Sequence, residues 1–333
     1  MDSMEFTQVI PRLRVLETRL LDKAKIDRMI DGDSANEALK VLQESEYANV
    51  MTGVKRAEDY EEVLSKELKR VYELMYDASP SKSLIDIMSI KYDYHNIKVL
   101  LKGIFLNKDL SDMLIPVGKI NLSLLKHSID NNNMADLPSA MRNGIEKTKE
   151  VFEGTKDPQQ IDIILDNAMF EEMREIAREL DDRFVDKYVS ALIDLTNLKT
   201  LLRVKKQNKN RDFLQEVIIN GGAIDEDTLV ALLNDAPENI SNKLAFTNYN
   251  EVIKIGIEDY TKTDSASLLE KLVDNYIMDM MKEAKFIPFG VEPILAYVYA
   301  KETEIKVIRI IMVGKLNNIS GEVIRERLRD IYV

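Results

Sequence analysis

The chain has 333 residues and carries 46 Lys plus Arg against 58 Asp plus Glu, a formal net charge of −12. That excess of acid argues against general nucleic-acid binding, which needs a basic surface to release counterions. The absence of cysteine removes disulfides, thiolate nucleophiles and cysteine-based zinc sites together.

At the N-terminus, "MDSMEFTQVIPRLRVLE" has no basic segment leading into an apolar stretch, so no secretory leader is expected. A capping box follows, with Ser34 and Glu37 in "SANE" opening a helix. The phrase "DYHNIKVLLK" from Asp93 reads as helix, with Ile90, Tyr94, Ile97, Leu101 and Ile104 on one stripe at 100° per residue. His95 falls on the other side and is read as a solvated surface residue; His127 has no metal-ligand partner at helical spacing. Asp157 with Pro158 marks another helix start, and no glycine or proline occurs from Gln159 to Asn220, which suits long helices. The basic stretch "RVKKQNKNR" from Arg203 to Arg211 suits the end of such a helix, where cations complement the dipole. "DEDTL" at Asp225 reads as a cap with first-turn acid. Pro293 opens a last long helix that Gly314 is expected to close. Its apolar run "PILAYVYA" has eight residues, against about 20 for a membrane span. No segment reads as a sheet, so the expected class is all-α.

The helical phrases recur. "DYHNIKVLLK", "DLTNLKTLLR" from Asp194 and "KETEIKVIRI" from Lys301 align on Asn96, Asn197 and Glu304, 101 and 107 residues apart. Lysine stands two positions later each time, at Lys98, Lys199 and Lys306. A glycine turn follows each phrase, at Gly118, Gly222 and Gly314, and "ILDNAMFEEMREIA" matches "LVDNYIMDMMKEA", setting Asp166 and Asn167 over Asp274 and Asn275. A fainter copy begins at Val63. A repeat near one third of the length implies three similar helical units that bury their apolar stripes by packing together, as a ring or as a rod. The units are drawn at 1–116, 117–220 and 221–333, in a monomer. In the third phrase the stripe Ile294, Val298, Lys301, Ile305, Ile308 and Met312 holds a lysine, flanked by Glu302 and Arg309. Two readings stand for that charge: a partly buried ion pair that keeps neighbouring units in register, or a contact for a partner helix. Lys306, four residues after Glu302, is expected to pair with it along the helix, leaving Arg309 to reach a carboxylate elsewhere.

Catalytic motifs are missing. "VGKI" and "VGKL" lack the upstream glycine and following hydroxyl of a phosphate loop, and no G-x-G-x-x-G, H-E-x-x-H or G-x-S-x-G occurs. "DDRFVD", with Asp181, Asp182 and Asp186, has the look of the magnesium-holding turns of all-helical isoprenoid synthases. No second acidic motif faces it, so a solvated charge run is preferred. The chain is read as non-enzymatic, with no cofactor.

The C-terminal run "PFGVEPILAYVYAKETEIKVIRIIMVGKLNNISGEVIRERLRDIYV" resembles the end of the C subunit of V/A-type rotary ATPases, the counterpart of the d subunit in the eukaryotic V-type. "YDYHNIKVLLKGIF" resembles that family's first internal repeat, and "RLRVLETRLL" with "ESEYANV" its N-terminal unit. The most specific pieces are Gly290, Glu292, Pro293, Lys301, Glu302, Glu304, Arg309, Gly314 and Lys315, with Asp93, Asn96, Lys98 and Lys102; the middle unit, where Thr196 replaces the histidine, matches more loosely. The resemblance covers essentially the whole chain. It implies a funnel of three helical domains about a pseudo-threefold axis, peripheral to the cytoplasmic face of a membrane. Such a funnel receives the central stalk, sits on the membrane rotor ring, and passes torque between ion flow and ATP synthesis or hydrolysis without chemistry of its own. The alternative is a helical-repeat scaffold with no rotor duty. The expected contacts with partners or between units are the aligned Asn, Lys and Glu residues with Glu292, Lys301, Glu302 and Arg309. For the ring they are Ile120, Leu122, Ile224, Leu316 and Ile319, in the segments Gly118–Leu125, Gly222–Leu229 and Gly314–Val323.

Overall fold

The computed structural model describes residues 3–333, and among the described residues every regular element is a helix. After α1 (Val9–Glu17) come the short helices α2 (Lys23–Asp31) and α3 (Ala35–Gln43). Asp22 accepts a hydrogen bond from the Lys25 amide, and Ser34 from the Glu37 amide, satisfying donors that a first turn leaves open. Two long helices follow, α4 (Tyr60–Ala78) and α5 (Lys82–Leu106). The next stretch holds α6 (Leu122–Asp130), α7 (Ser139–Thr155), α8 (Pro158–Leu180), α9 (Arg183–Lys206) and α10 (Arg211–Val217). The last holds α11 (Glu226–Ala231), α12 (Pro237–Lys243), α13 (Asn250–Thr263), α14 (Ser267–Lys282), α15 (Glu292–Leu316) and α16 (Gly321–Arg327). Asp157 caps α8 ahead of Pro158, and the basic stretch ends α9, as expected from the sequence.

Two compact units result, one of Ser89–Val273 and the other of residues 3–88 with Asp274–Val333. Within the first, α7 lies along α8, α8 packs on α9, α9 on α10 and α11, and α12 on α13. Gly144 permits the first of these contacts, since a Cβ there would stand 3.0 Å from that of Ala168. Ile90, Tyr94, Ile97 and Leu101 of α5 are fully buried as the stripe predicts, but Ile104 is 49% exposed, so the stripe stops one turn early.

The second unit is built around α15. It packs on α1, α2, α3, α4 and α16 and is buried round most of its circumference, with a solvent-facing strip along Glu302, Lys306, Arg309 and Val313. Every member of the predicted stripe from Ile294 to Met312 is at most 4% exposed, Lys301 included.

Three of the long helices end alike. Asn107, Asn208 and Asn318 adopt left-handed backbone just past α5, α9 and α15. In each case the next amide returns to a carbonyl five residues back: Lys108 to Gly103 (2.9 Å), Lys209 to Val204 (3.1 Å) and Ile319 to Gly314 (2.9 Å). Asparagine tolerates this conformation best after glycine, and the return bonds satisfy carbonyls at the helix end. Gly314 therefore does not close its helix, which runs on to Leu316. It lies inside α15 where Ile324 of α16 presses against it, leaving no room for a Cβ.

Candidate functional site

Asp93 and Asn96 stand one turn apart on the same face of α5 and hold the segment that follows the helix. Asn96 exchanges two hydrogen bonds with the backbone of Ile115, both 2.8 Å. The Asp93 carboxylate accepts from the amides of Lys119 (2.8 Å) and Ile120 (3.1 Å). Asp194 and Asn197 do the same on α9. Asn197 exchanges bonds of 2.7 and 2.9 Å with Ile219, and Asp194 accepts from Ala223 and Ile224, both at 3.0 Å. Tyr249 donates a further bond to Asp194 (2.9 Å). The glycines of the two turns follow directly, since a Cβ on Gly118 or Gly222 would collide with the carboxylate it faces. Burial raises both carboxyls, against the pull of the amides they accept from; Asp93 is pushed up to about 7.

On α15 the same two positions are Lys301 and Glu304, and they hold a different part of the chain. Glu304 accepts from the amide of Leu21 (2.5 Å), from the Tyr47 hydroxyl (2.9 Å) and from Lys301 (2.8 Å). Lys301 also reaches Glu67 on α4 (3.0 Å), which in turn grips Arg70 with both oxygens at 2.8 Å. Lys301, Glu67, Glu304 and Tyr47 are all buried. Burial alone would lower the lysine, but Glu304 and Glu67 raise it well above its ordinary value, so it stays charged. Leu21 immediately precedes the cap of α2, just as Ile120 precedes Asn121, the cap of α6, and Ile224 precedes Asp225, the cap of α11. The N-terminal segment thus fills on α15 the place that the glycine turns fill on α5 and α9.

The aligned lysines were expected to matter, and two of them meet aspartates. Lys98 bonds Asp166 (2.5 Å), with Lys102 on neighbouring Asp162 (2.7 Å). Lys306 bonds Asp274, which also takes Arg329 at 2.9 Å. Lys306 does not pair with Glu302, as helical spacing alone suggested. Glu302 instead accepts from the buried Tyr72 hydroxyl (2.6 Å), and Lys306 turns towards α14. Lys199 lies half-buried on α9, and Glu292 is the first residue of α15. Arg309 forms a two-pronged pair with Glu61 (2.6 and 3.0 Å), but both side chains are nearly half exposed. The buried ion pair on this stripe is at Lys301, while Arg309 reaches the carboxylate of Glu61 near the surface. His95 is not simply solvated, since its Nε2 bonds the Met113 carbonyl (2.9 Å). Of the expected ring contacts, Ile120, Leu122, Leu316 and Ile319 are partly exposed, whereas Ile224 is only 6% exposed and belongs to the chain's own core.

The three aspartates of "DDRFVD" are each engaged locally. Asp181 ends α8 in left-handed backbone, Asp182 caps α9 through the Phe184 and Val185 amides, and Asp186 pairs with Arg174 (2.7 Å). Among the described residues no group of acidic or histidine side chains could hold a metal ion, and no helix is long and apolar enough to cross a membrane.

Residues 9–327 match the family described as ATP synthase (C/AC39) subunit. The chain belongs to that family. It is 30% identical to the C subunit of the V-type sodium ATPase of Enterococcus hirae over 330 residues, covering 99% of each chain. It is 27% identical to the C subunit of the A-type ATP synthase of Methanocaldococcus jannaschii, covering 98% of this chain and 87% of that one. With the corresponding A-type ATP synthase C subunit of Pyrococcus abyssi the figures are 24%, 96% and 89%. Membership of an ATP synthase subunit family favours neither the isoprenoid synthase nor the free-standing scaffold. What the comparisons could not supply is the pinning role of Asp93, Asp194 and Glu304. For Asp93 and Asp194 the signal was present in the sequence, as an apolar residue followed by a capping Asn or Asp just beyond each glycine turn.

Proposed function

We propose that this chain is the non-catalytic coupling subunit of a V/A-type ATP synthase or ATPase. In this reading it is a peripheral collar on the cytoplasmic side, set between the central stalk and the membrane rotor ring. Its three similar helical units, drawn in the sequence as 1–116, 117–220 and 221–333, would stand about a pseudo-threefold axis and pass torque between ion translocation and ATP synthesis or hydrolysis. The observation that carries the reading is the family match over residues 9–327. The pinned segments add support, because a torque-bearing part must resist shear. Each is tied to a long helix by side chains that are themselves buried, Asp93, Asn96, Asp194, Asn197 and Glu304.

Under this reading the ring-facing pads are the segments from Gly118 and from Gly314, with Ile120, Leu122, Leu316 and Ile319 supplying apolar contact. The turn from Gly222 joins them through residues other than Ile224. Capture of this chain on a column, from detergent-solubilised membranes of its own cell, tests the reading. Stalk and ring subunits are expected to be retained together, and their absence at low salt would contradict it. Leu122→Glu with Leu316→Glu is expected to release the ring and leave the helical content unchanged.

A further inference from the structure

The turn between α14 and α15 carries two aromatic rings in water. Phe286 is 88% and Phe289 43% exposed, on either side of Pro288. The backbone beneath them is held firmly. Arg14 donates to the carbonyls of Ala284 (2.8 Å) and Ile287 (2.7 Å), and is itself gripped by both oxygens of Glu17 (3.0 and 2.8 Å). Glu17 also takes the Tyr332 hydroxyl (3.0 Å), and Lys285 lies over the Tyr332 ring, 4.7 Å from its centre. A fixed turn loses little conformational freedom on binding, and exposed aromatics on rigid backbone have the character of interface anchors.

The turns at the same place in the other long hairpins have no such character. Between α4 and α5 stand Ser79, Pro80 and Ser81, and between α8 and α9 stand Asp181 and Asp182. Position along α15 selects the partner. The rings precede the first residue of this 25-residue helix, and the Gly314 segment lies at its far end, roughly 37 Å away. If that segment meets the ring, as the rotor reading has it, the aromatic turn is at the end directed away from the ring.

We propose that Phe286 and Phe289 anchor an apolar surface of the central-stalk foot, and that this one turn sets the rotational position of the stalk. The proposal rests on the rotor reading. A single shaft in a holder of three similar units needs one unit to differ, and an aromatic turn at this one of the three long hairpins supplies the difference.

The test measures binding of the full-length chain to two separate probes, the purified central-stalk assembly and the detergent-solubilised rotor ring. Phe286→Ser/Phe289→Ser is expected to weaken stalk binding at least ~10-fold while ring binding changes by less than about twofold. Phe286→Ser alone, at the more exposed ring, is expected to show a partial loss with an unchanged circular dichroism spectrum. Unchanged stalk affinity in the double variant would overturn the inference and leave the rotor reading standing. So would a selective loss of ring binding, or a wild-type dimer that disperses in the variant, which would assign the turn to a second copy. Wild-type protein that captures neither probe would overturn the rotor reading and the inference with it.

Discussion

Lys301 and Arg309 lie about two turns apart on α15, and their surroundings predict opposite responses to mutation. Lys301 is 1% exposed and stands between two buried carboxylates. Lys301→Ala would leave buried Glu304 without a cation, while Glu67 keeps Arg70, and a buried charge that loses its partner costs about 3–5 kcal/mol. Arg309 and Glu61 are both nearly half exposed, where a pair contributes about 0–1 kcal/mol. Urea denaturation is expected to show a large loss for Lys301→Ala and almost none for Arg309→Ala. A loss of several kcal/mol for Arg309→Ala would mean that the Glu61 pair is more enclosed than this geometry has it. Asp93 gives a pH dependence. Its folded value of about 7 lies above the ordinary carboxyl value of about 4, so the native state holds an extra proton between those limits. The stability from this group is full below about pH 4 and is lost as pH rises through about 7. Lys119 and Glu172 are the charged neighbours that modulate it. Asp93→Asn is therefore expected to flatten the fall in denaturation midpoint between pH 5 and pH 8, and an unaltered slope would remove Asp93 as its source.

The pinned segments set the next level of organisation. Gly118→Ala and Gly222→Ala each drive a Cβ into the carboxylate that holds the turn, an overpacking that costs about 1–3 kcal/mol. A thermal melt is expected to record the loss, while Gly154→Ala, in open space, is expected to be neutral or stabilising, as suits glycine inside a helix. Much of this was legible beforehand. The Asp and Asn three residues apart in "DYHN" and "DLTN", the glycines downstream and the caps at Ser34 and Asp157 all point to helices with tethered returns. The third case was not legible, because Glu304 finds its partner 283 residues away at Leu21, and periodicity within a helix says nothing about such distant pairing. Side-chain choices were likewise hidden. Spacing offers Lys306 to Glu302, but the Tyr72 hydroxyl occupies Glu302 and Asp274 draws Lys306 across to α14. The exposed pair at Arg309 and the buried one at Lys301 look alike in sequence, since both are charges beside one apolar stripe. Glu304→Gln tests the N-terminal tether. It is expected to speed amide exchange over residues 9–31 more than over residues 158–206, and uniform exchange would deny the tether a local role.

On the scale of the whole molecule, the all-helical fold and the family match across residues 9–327 are consistent with the proposed mechanical role. Buried polar tethers and close glycine contacts hold the pinned segments on the long helices, as the proposed torque-passing role requires. The proposed role of this chain is to couple the ATP-handling head to the ion-conducting ring. The most direct measurement is ATP-driven ion transport into vesicles by the complete complex, with and without this chain, alongside ATP hydrolysis in the same samples. Removing the chain is expected to abolish transport while hydrolysis by the head continues, and adding it back is expected to restore transport. Ion transport that proceeds equally well without the chain would contradict that role.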